Sequence, residues 1–108
     1  MPLDPAHLPG TVEAIVLGSG SGGAAVARRL VDAGWEVLLL EAGGDGRGAA
    51  VLQDPTRWMQ IAGGPWDWGH AYAPEAALGG RTIPIPRGRV LGGSGTVNAM
   101  MWYRGHPS

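Results

Sequence analysis

The run Ala14-Ile15-Val16-Leu17-Gly18-Ser19-Gly20-Ser21-Gly22-Gly23-Ala24 decides how the rest of this chain is read. Ala14 to Leu17 are continuously apolar and close a stretch that begins at Thr11, the pattern of a strand covered on both faces. From Ala24 to Ala33 the residues are good helix formers, with Val26, Leu30 and Ala33 on one face and Arg28, Arg29 and Asp32 elsewhere. Gly34 supplies a stop, and Trp35 to Leu40 resumes an apolar strand pattern that ends at Glu41. Strand, glycine turn, helix and strand make a βαβ unit, which predicts an α/β fold with a parallel strand pair.

Gly18-x-Gly20-x-x-Gly23 lies between the first strand and the helix, the context in which this spacing has a mechanism. Gly18 allows the tight turn, Gly20 lets the backbone approach a pyrophosphate, and Gly23 permits close helix–strand packing. The amides that open the helix, at its positive dipole end, then face the phosphates. Ser21, with Gly22 beside it, is placed to add a hydroxyl or amide donor. A flexible Gly/Ser linker would produce the same letters, but not between flanks so regular. Glu41 follows Gly23 by 18 residues, where a dinucleotide fold sets the acid that accepts hydrogen bonds from an adenosine ribose. A carboxylate there disfavours NADP through repulsion of a 2′-phosphate. The bland alternative is a solvated Glu at a strand end. This fingerprint alone does not separate FAD from NAD.

Composition narrows the classes. Eight basic residues, all Arg, face nine acidic ones for a net charge of −1, and the Arg are scattered, so no nucleic-acid or acidic-membrane surface is expected. There is no Cys, hence no disulfide framework, thiolate metal site or Cys nucleophile, and no metal site is expected. Uninterrupted apolar runs such as Val37 to Leu40 are far short of the ~20 residues of a membrane span. The first ten residues lack the basic-then-apolar order of a signal peptide, so a cytoplasmic location is expected. Gly and Pro make up 29 of 108 residues, a share at which disorder is suspected, yet the Gly cluster where turns are needed. With no Phe and a bulky apolar set that is mainly Val, Leu and Ile with five Trp, the chain would bury little for its length, as an incomplete domain does.

Residues 1–10 read as a loose arm and residues 11–108 as the structured part. Beyond Glu41, Gly43 to Ala50 reads as loop, Pro55 to Ala62 as a short helix carrying Trp58, Met59 and Ile61, and Gly63 to Gly80 as irregular. Thr82 to Pro86 alternates but holds two Pro, which confines it to an edge. Gly92 to Tyr103 reads as a second glycine turn that enters a helix.

That second segment is informative. Pro86-Arg87-Gly88-Arg89-Val90-Leu91-Gly92-Gly93-Ser94-Gly95-Thr96-Val97-Asn98, followed by Ala-Met-Met-Trp-Tyr-Arg-Gly, resembles the first signature of the glucose-methanol-choline (GMC) family of flavin oxidoreductases. The turn at Gly18 to Gly23, the run Leu38 to Gly44, Trp66-Asp67-Trp68 and Gly80-Arg81 resemble that family in the right order. The resemblance implies a partial Rossmann-like FAD-binding domain without its substrate domain. It implies that amides of Gly93, Ser94 and Gly95, with the Asn98 region, approach the pyrophosphate and isoalloxazine. Gly88, Arg89 and Val90 would also contact the cofactor, as would Ala42 and Trp68. For Trp66 and Trp68 packing is the competing role, and for Arg87 and Arg89 a solvated or ion-paired one. Some relatives attach FAD through a His immediately before the Asn of this motif; Val97 stands there, which implies non-covalent FAD.

Family members oxidise an alcohol by hydride transfer to flavin, with a His base supplied far beyond this segment. His7, His70 and His106 lie in the arm, an irregular loop and the terminus, and none forms a catalytic pair, so no catalytic residue is assigned. The expected function is the FAD-binding N-terminal portion of an FAD-dependent alcohol dehydrogenase or oxidase, inactive by itself. Its expected partners are a small-molecule alcohol in the complete protein and the rest of the polypeptide or a complementing chain. A free-standing NAD-binding module and an inactive truncated remnant are the alternatives.

Overall fold

Strands β1 (Ala14–Leu17) and β2 (Val37–Leu40) pair in parallel with Ala14 opposite Val37 and Leu17 opposite Leu40, joined through helix α1 (Ser21–Asp32). This computed structural model describes Ala6 and residues 8–105. Most of the expected arm, with His7 and His106, lies outside the described residues. The βαβ reading holds, and α1 begins three residues before its good helix formers, taking Gly22 and Gly23 into its first turn. Its other end is the expected glycine stop: Gly34 has φ +87°, its N–H donates to Val31 O at 3.0 Å, and Trp35 N–H donates to Leu30 O at 3.0 Å. That pair of reversed bonds satisfies carbonyls the helix leaves unpaired.

α1 packs across both strands, on a face that keeps Leu30 of the expected set but not Val26 or Ala33. Gly23, Ala27 and Leu30 are its partly covered residues, and Val26 is exposed. The reason is local. A Cβ on Gly23 would lie 1.9 Å from Gly18 O, so the glycine contact sets the rotation of the helix and turns Val26 outward. The expectation that β1 is covered on both faces is also corrected. Val16, under the helix, is 9% exposed, whereas Ile15 and Leu17 are 58% and 78% exposed because no described residue packs on the opposite face.

After β2 the chain is held by turns. A one-turn helix α2 (Ala50–Gln53) precedes a 3-10 segment at Pro55–Gln60, which is the expected short helix in tighter form. Asp54 caps it by accepting from Thr56 N–H at 3.0 Å and Thr56 Oγ–H at 2.6 Å. β3 (His70–Ala71) pairs antiparallel with β4 (Pro84–Ile85), so the Pro-containing stretch is an edge as expected, and His70 belongs to a short hairpin instead of an irregular loop. Gly44 bridges to Val90 in parallel, which brings the second glycine segment alongside the end of β2.

The second glycine turn does enter a helix, α3, but this spans only Ser94–Val97 instead of continuing toward Tyr103. The side chain of Asn98 ends it: Nδ2 donates to Gly95 O at 2.7 Å and Oδ1 accepts from Met100 N–H at 2.6 Å. A side chain that takes up helical backbone groups competes with the helix. Met100 then adopts φ +51°, and Met101 to Tyr103 are exposed. The buried apolar residues among those described are Val16, Ile61 and Val90. A radius of gyration of 17.5 Å, against about 13 Å for a packed chain near this length, reports the same openness.

Candidate functional site

At the carboxyl ends of β1 and β2, where open α/β sheets bind ligands, lies a cleft of about 470 Å³. Gly18, Gly20, Glu41 and Ala42 line it from the βαβ unit, and Trp68, Gly88 and Gly93 from the later segments. Seven of the residues singled out in the sequence are therefore brought to one place, across separations of up to 75 positions.

The glycines of the first turn serve different ends. Gly18 has φ +87°, a conformation that favours glycine, and its N–H donates to Leu40 O at 2.7 Å, closing the turn onto β2. Gly23 is required by the contact with Gly18 described above. Gly20 differs from both. Its φ of −63° and ψ of 179° suit any residue, and a Cβ built on it would meet nothing within 4 Å. The chain's own geometry gives no reason for glycine there, while the cleft it lines does. Gly20 is also the N-cap of α1 with no side chain to cap the opening amides, and no acidic residue occupies the first turn. These amides are the groups an oxyanion would use.

Glu41 closes the same wall. Its Oε2 accepts from Ser19 N–H at 2.8 Å and Ser19 Oγ–H at 2.6 Å, and Oε1 accepts from Gly43 N–H at 2.9 Å. Partial burial pushes the carboxyl upward, but the bonds from Ser19, Gly43 and Ala42 outweigh it and hold the group below its ordinary value. Glu41 is thus a carboxylate with structural work of its own, beyond facing the cleft. Ser19, 4% exposed, was missed by the motif reading because it fills a variable position. Its signal is spatial: Ser19 Oγ also accepts from Gly92 N–H at 2.9 Å, joining the two glycine segments.

On the opposite wall, Arg89 N–H donates to Trp66 O and Trp68 N–H to Arg87 O, each at 2.9 Å, which holds the two segments edge to edge. The Arg89 guanidinium lies 5.2 Å over the Trp68 ring, and Trp68 stacks with His70 at 5.9 Å. Trp68 lines the cleft, whereas Trp66 packs near Gly44. Arg87 uses its guanidinium on the neighbouring Pro86 O.

Other residues expected at the cofactor are not among those lining the cleft. Val90 is fully buried and belongs to the core. Ser21 and Gly22 lie on the exposed start of α1, and Gly95 faces Ser21. Ser94 accepts from Gly88 N–H through Oγ at 3.2 Å and lines, with Val97 and Asn98, a second cavity of about 270 Å³ beside Trp58 and Asp67. Asp67 ties this region together by accepting from Gly63, Gly69 and Arg87 amides. Donation from Gly63 and Arg87 outweighs the slight burial and keeps its carboxyl low.

A cleft at the strand ends with an uncapped helix start beneath it and a second glycine turn across it matches the expected dinucleotide architecture. Comparison with known proteins agrees: the model of the GMC oxidoreductase family matches residues 12–108. The chain belongs to the GMC oxidoreductase family. It corresponds to the N-terminal, Rossmann-like FAD-binding portion of that family. An oxygen-dependent choline dehydrogenase of Rhizobium johnstonii is 39% identical over 93 residues, covering 85% of this chain and 17% of the relative. A solved pyridoxine 4-oxidase from Mesorbium loti superposes with a TM-score of 0.78 at 35% identity, over 90% of this chain and 19% of that one. An FAD-dependent oxidoreductase from Chaetomium thermophilum does so with a TM-score of 0.67 at 31% identity, over 88% and 16%. The chain thus spans under a fifth of the length of these relatives. Among the described residues no helix is long and apolar enough to cross a membrane, and no group of three metal-ligating side chains converges.

Proposed function

We propose that residues 11–108 are the N-terminal part of an FAD-binding domain in a longer oxidoreductase that oxidises a small-molecule alcohol, with the flavin held non-covalently. The observation that carries this reading is Gly20: the space its absent Cβ would fill opens on a cleft lined from both glycine segments. The opening amides of α1 would hold the pyrophosphate, with Glu41 set toward the adenosine end. Gly88 and Gly93 would admit the cofactor close to the backbone, and Trp68, fixed by Arg89 and His70, would wall the cleft. Bound FAD would supply a hydride acceptor for the alcohol carbon. Glu41, the acid that lines the cleft, is taken up by Ser19 and Gly43, so the hydroxyl proton would pass to a group supplied by the remaining polypeptide, which also brings the substrate domain.

Val97 supports non-covalent attachment, since its side chain offers no nucleophile where some relatives carry a tethering His. A cytoplasmic location is part of the same proposal and is tested by fractionating cells that make the full-length protein. The direct test is the visible spectrum of that purified protein. Flavin bands bleached by an alcohol under anaerobic conditions are expected. A colourless protein that binds a nicotinamide dinucleotide instead would overturn the reading.

A further inference from the structure

The hydrogen bonds of Ser19 have a consequence that neither glycine motif explains. Its backbone N–H and hydroxyl both donate to Glu41 Oε2, and the same hydroxyl accepts from Gly92 N–H, 73 residues away. One buried side chain therefore joins the end of β2, the first glycine turn and the second glycine segment. Its neighbours on either side, Gly18 and Gly20, line the cleft, as does Gly93, next to Gly92. The two turns already touch: a Cβ on Gly93 would lie 3.2 Å from Gly20 Cα.

We propose that Ser19 is a positioning residue for the cofactor: its hydroxyl latches Glu41 to Gly92 and so fixes the separation of the two glycine walls between which the flavin nucleotide is held. The geometry specifies a hydroxyl. Oγ must donate to the carboxylate and accept from an amide at once, which a hydroxyl does and a methyl does not. The donor to Ser19 Oγ is the neutral Gly92 amide and the acceptor from it is the charged Glu41 carboxylate, so the chain of bonds is polarised in one direction and its members reinforce each other. Without Oγ, Gly92 N–H loses its partner in a part-buried place and the carboxylate keeps only backbone donors. The second glycine segment, still held to Gly44 through Val90 and Leu91, then loses its side-chain tie to the first turn. This inference rests on the flavin-binding reading above.

The test uses the full-length protein with Ser19→Ala, Glu41→Gln and the double variant, each stripped of flavin and titrated with FAD by fluorescence quenching. Melting temperature of the apoprotein and visible circular dichroism of the bound flavin are recorded alongside. Ser19→Ala is expected to fold, to weaken FAD binding about tenfold, in the range lost with a charge-assisted hydrogen bond, and to alter the dichroism of the flavin that remains. The double variant should lose much less than the product of the two single losses, because both substitutions break one latch. Ser19→Thr, which keeps the hydroxyl, should bind FAD more tightly than Ser19→Ala. Unchanged affinity and dichroism in folded Ser19→Ala, independent losses in the double variant, or failure of Ser19→Ala to fold would overturn the latch. Absence of flavin binding in the unsubstituted protein would instead sink the functional reading on which it rests.

Discussion

Substituting Gly20 and Gly23 separately distinguishes a glycine required by the fold from one required by a ligand. In Gly23→Ala the new methyl would lie 1.9 Å from Gly18 O and 3.1 Å from its carbonyl carbon, so α1 must move off β1 or the turn must open. Both neighbours are backbone, which gives way poorly, and the overpacking cost is about 1–3 kcal/mol or more. In Gly20→Ala the methyl meets nothing within 4 Å, at a φ of −63° that alanine adopts freely. Loss of conformational freedom in the unfolded chain stabilises by about 0.4–1 kcal/mol, and the poorer N-cap offsets part of that, so folding stability should hardly change. Binding should change. A methyl group in the space proposed for a pyrophosphate costs a comparable 1–3 kcal/mol of overpacking, or roughly a 5- to 150-fold loss of FAD affinity. The assay is thermal denaturation of the full-length apoprotein together with FAD titration. Expected are a lowered melting temperature for Gly23→Ala alone and weakened flavin binding with unchanged melting for Gly20→Ala. Unimpaired FAD affinity in Gly20→Ala would refute the reasoning, because the cradle would then be empty space with no role.

Three further outcomes are expected. Because the Glu41 carboxyl is held below its ordinary value of 4.5 in the folded state, its contribution to stability is fully present above that value and lost as pH falls through the depressed one; the difference in melting temperature between the parent protein and Glu41→Gln should therefore shrink on acidification below about pH 4.5, and a constant difference would contradict it. Acid precipitation of the full-length protein should release all its flavin to the supernatant, and flavin retained on the washed pellet would refute non-covalent attachment. The 108-residue chain alone should show no alcohol oxidation with added FAD and an artificial electron acceptor, since a missing general base alone forfeits about 10²–10⁴ in rate; its exposed Ile15, Leu17 and Leu39 should make it aggregate, and turnover by a monodisperse sample would show that reasoning wrong.

What the sequence made legible was whatever depends on near neighbours. The apolar run before Gly18, the helix formers after Gly23, the stop at Gly34 and the second run to Glu41 each declare themselves within a few residues, and the βαβ unit follows. The candidate cleft was legible to the extent that its walls are the two glycine segments. Contacts between distant parts were not. The face on which α1 packs depends on a glycine carbonyl contact, and hydrophobic periodicity, right for Leu30, pointed to Val26 and Ala33 where the structure uses Gly23 and Ala27. The helix expected through Tyr103 stops at Asn98 because one amide side chain binds backbone on both sides of itself, which no propensity scale reports. Val90, grouped by its motif with cofactor contacts, is the most buried large side chain because Gly44 runs beside it.

The glycines carry this difference furthest. In the sequence Gly18, Gly20 and Gly23 are three equal letters of one pattern, and the pattern assigns their roles by analogy. The structure assigns them by cause. A positive φ explains Gly18 and a carbonyl at 1.9 Å explains Gly23, so both would be selected in a chain that bound nothing. Gly20 has neither cause, and inside the chain its one claim on glycine is its place as N-cap of α1, where alanine is somewhat poorer. The same comparison separates Gly93, which presses on Gly20, from Ser19, whose hydroxyl is what holds the two turns at that distance. The cleft is therefore built from walls that the chain's own contacts fix, around Gly20, for which a bound cofactor is the proposed constraint.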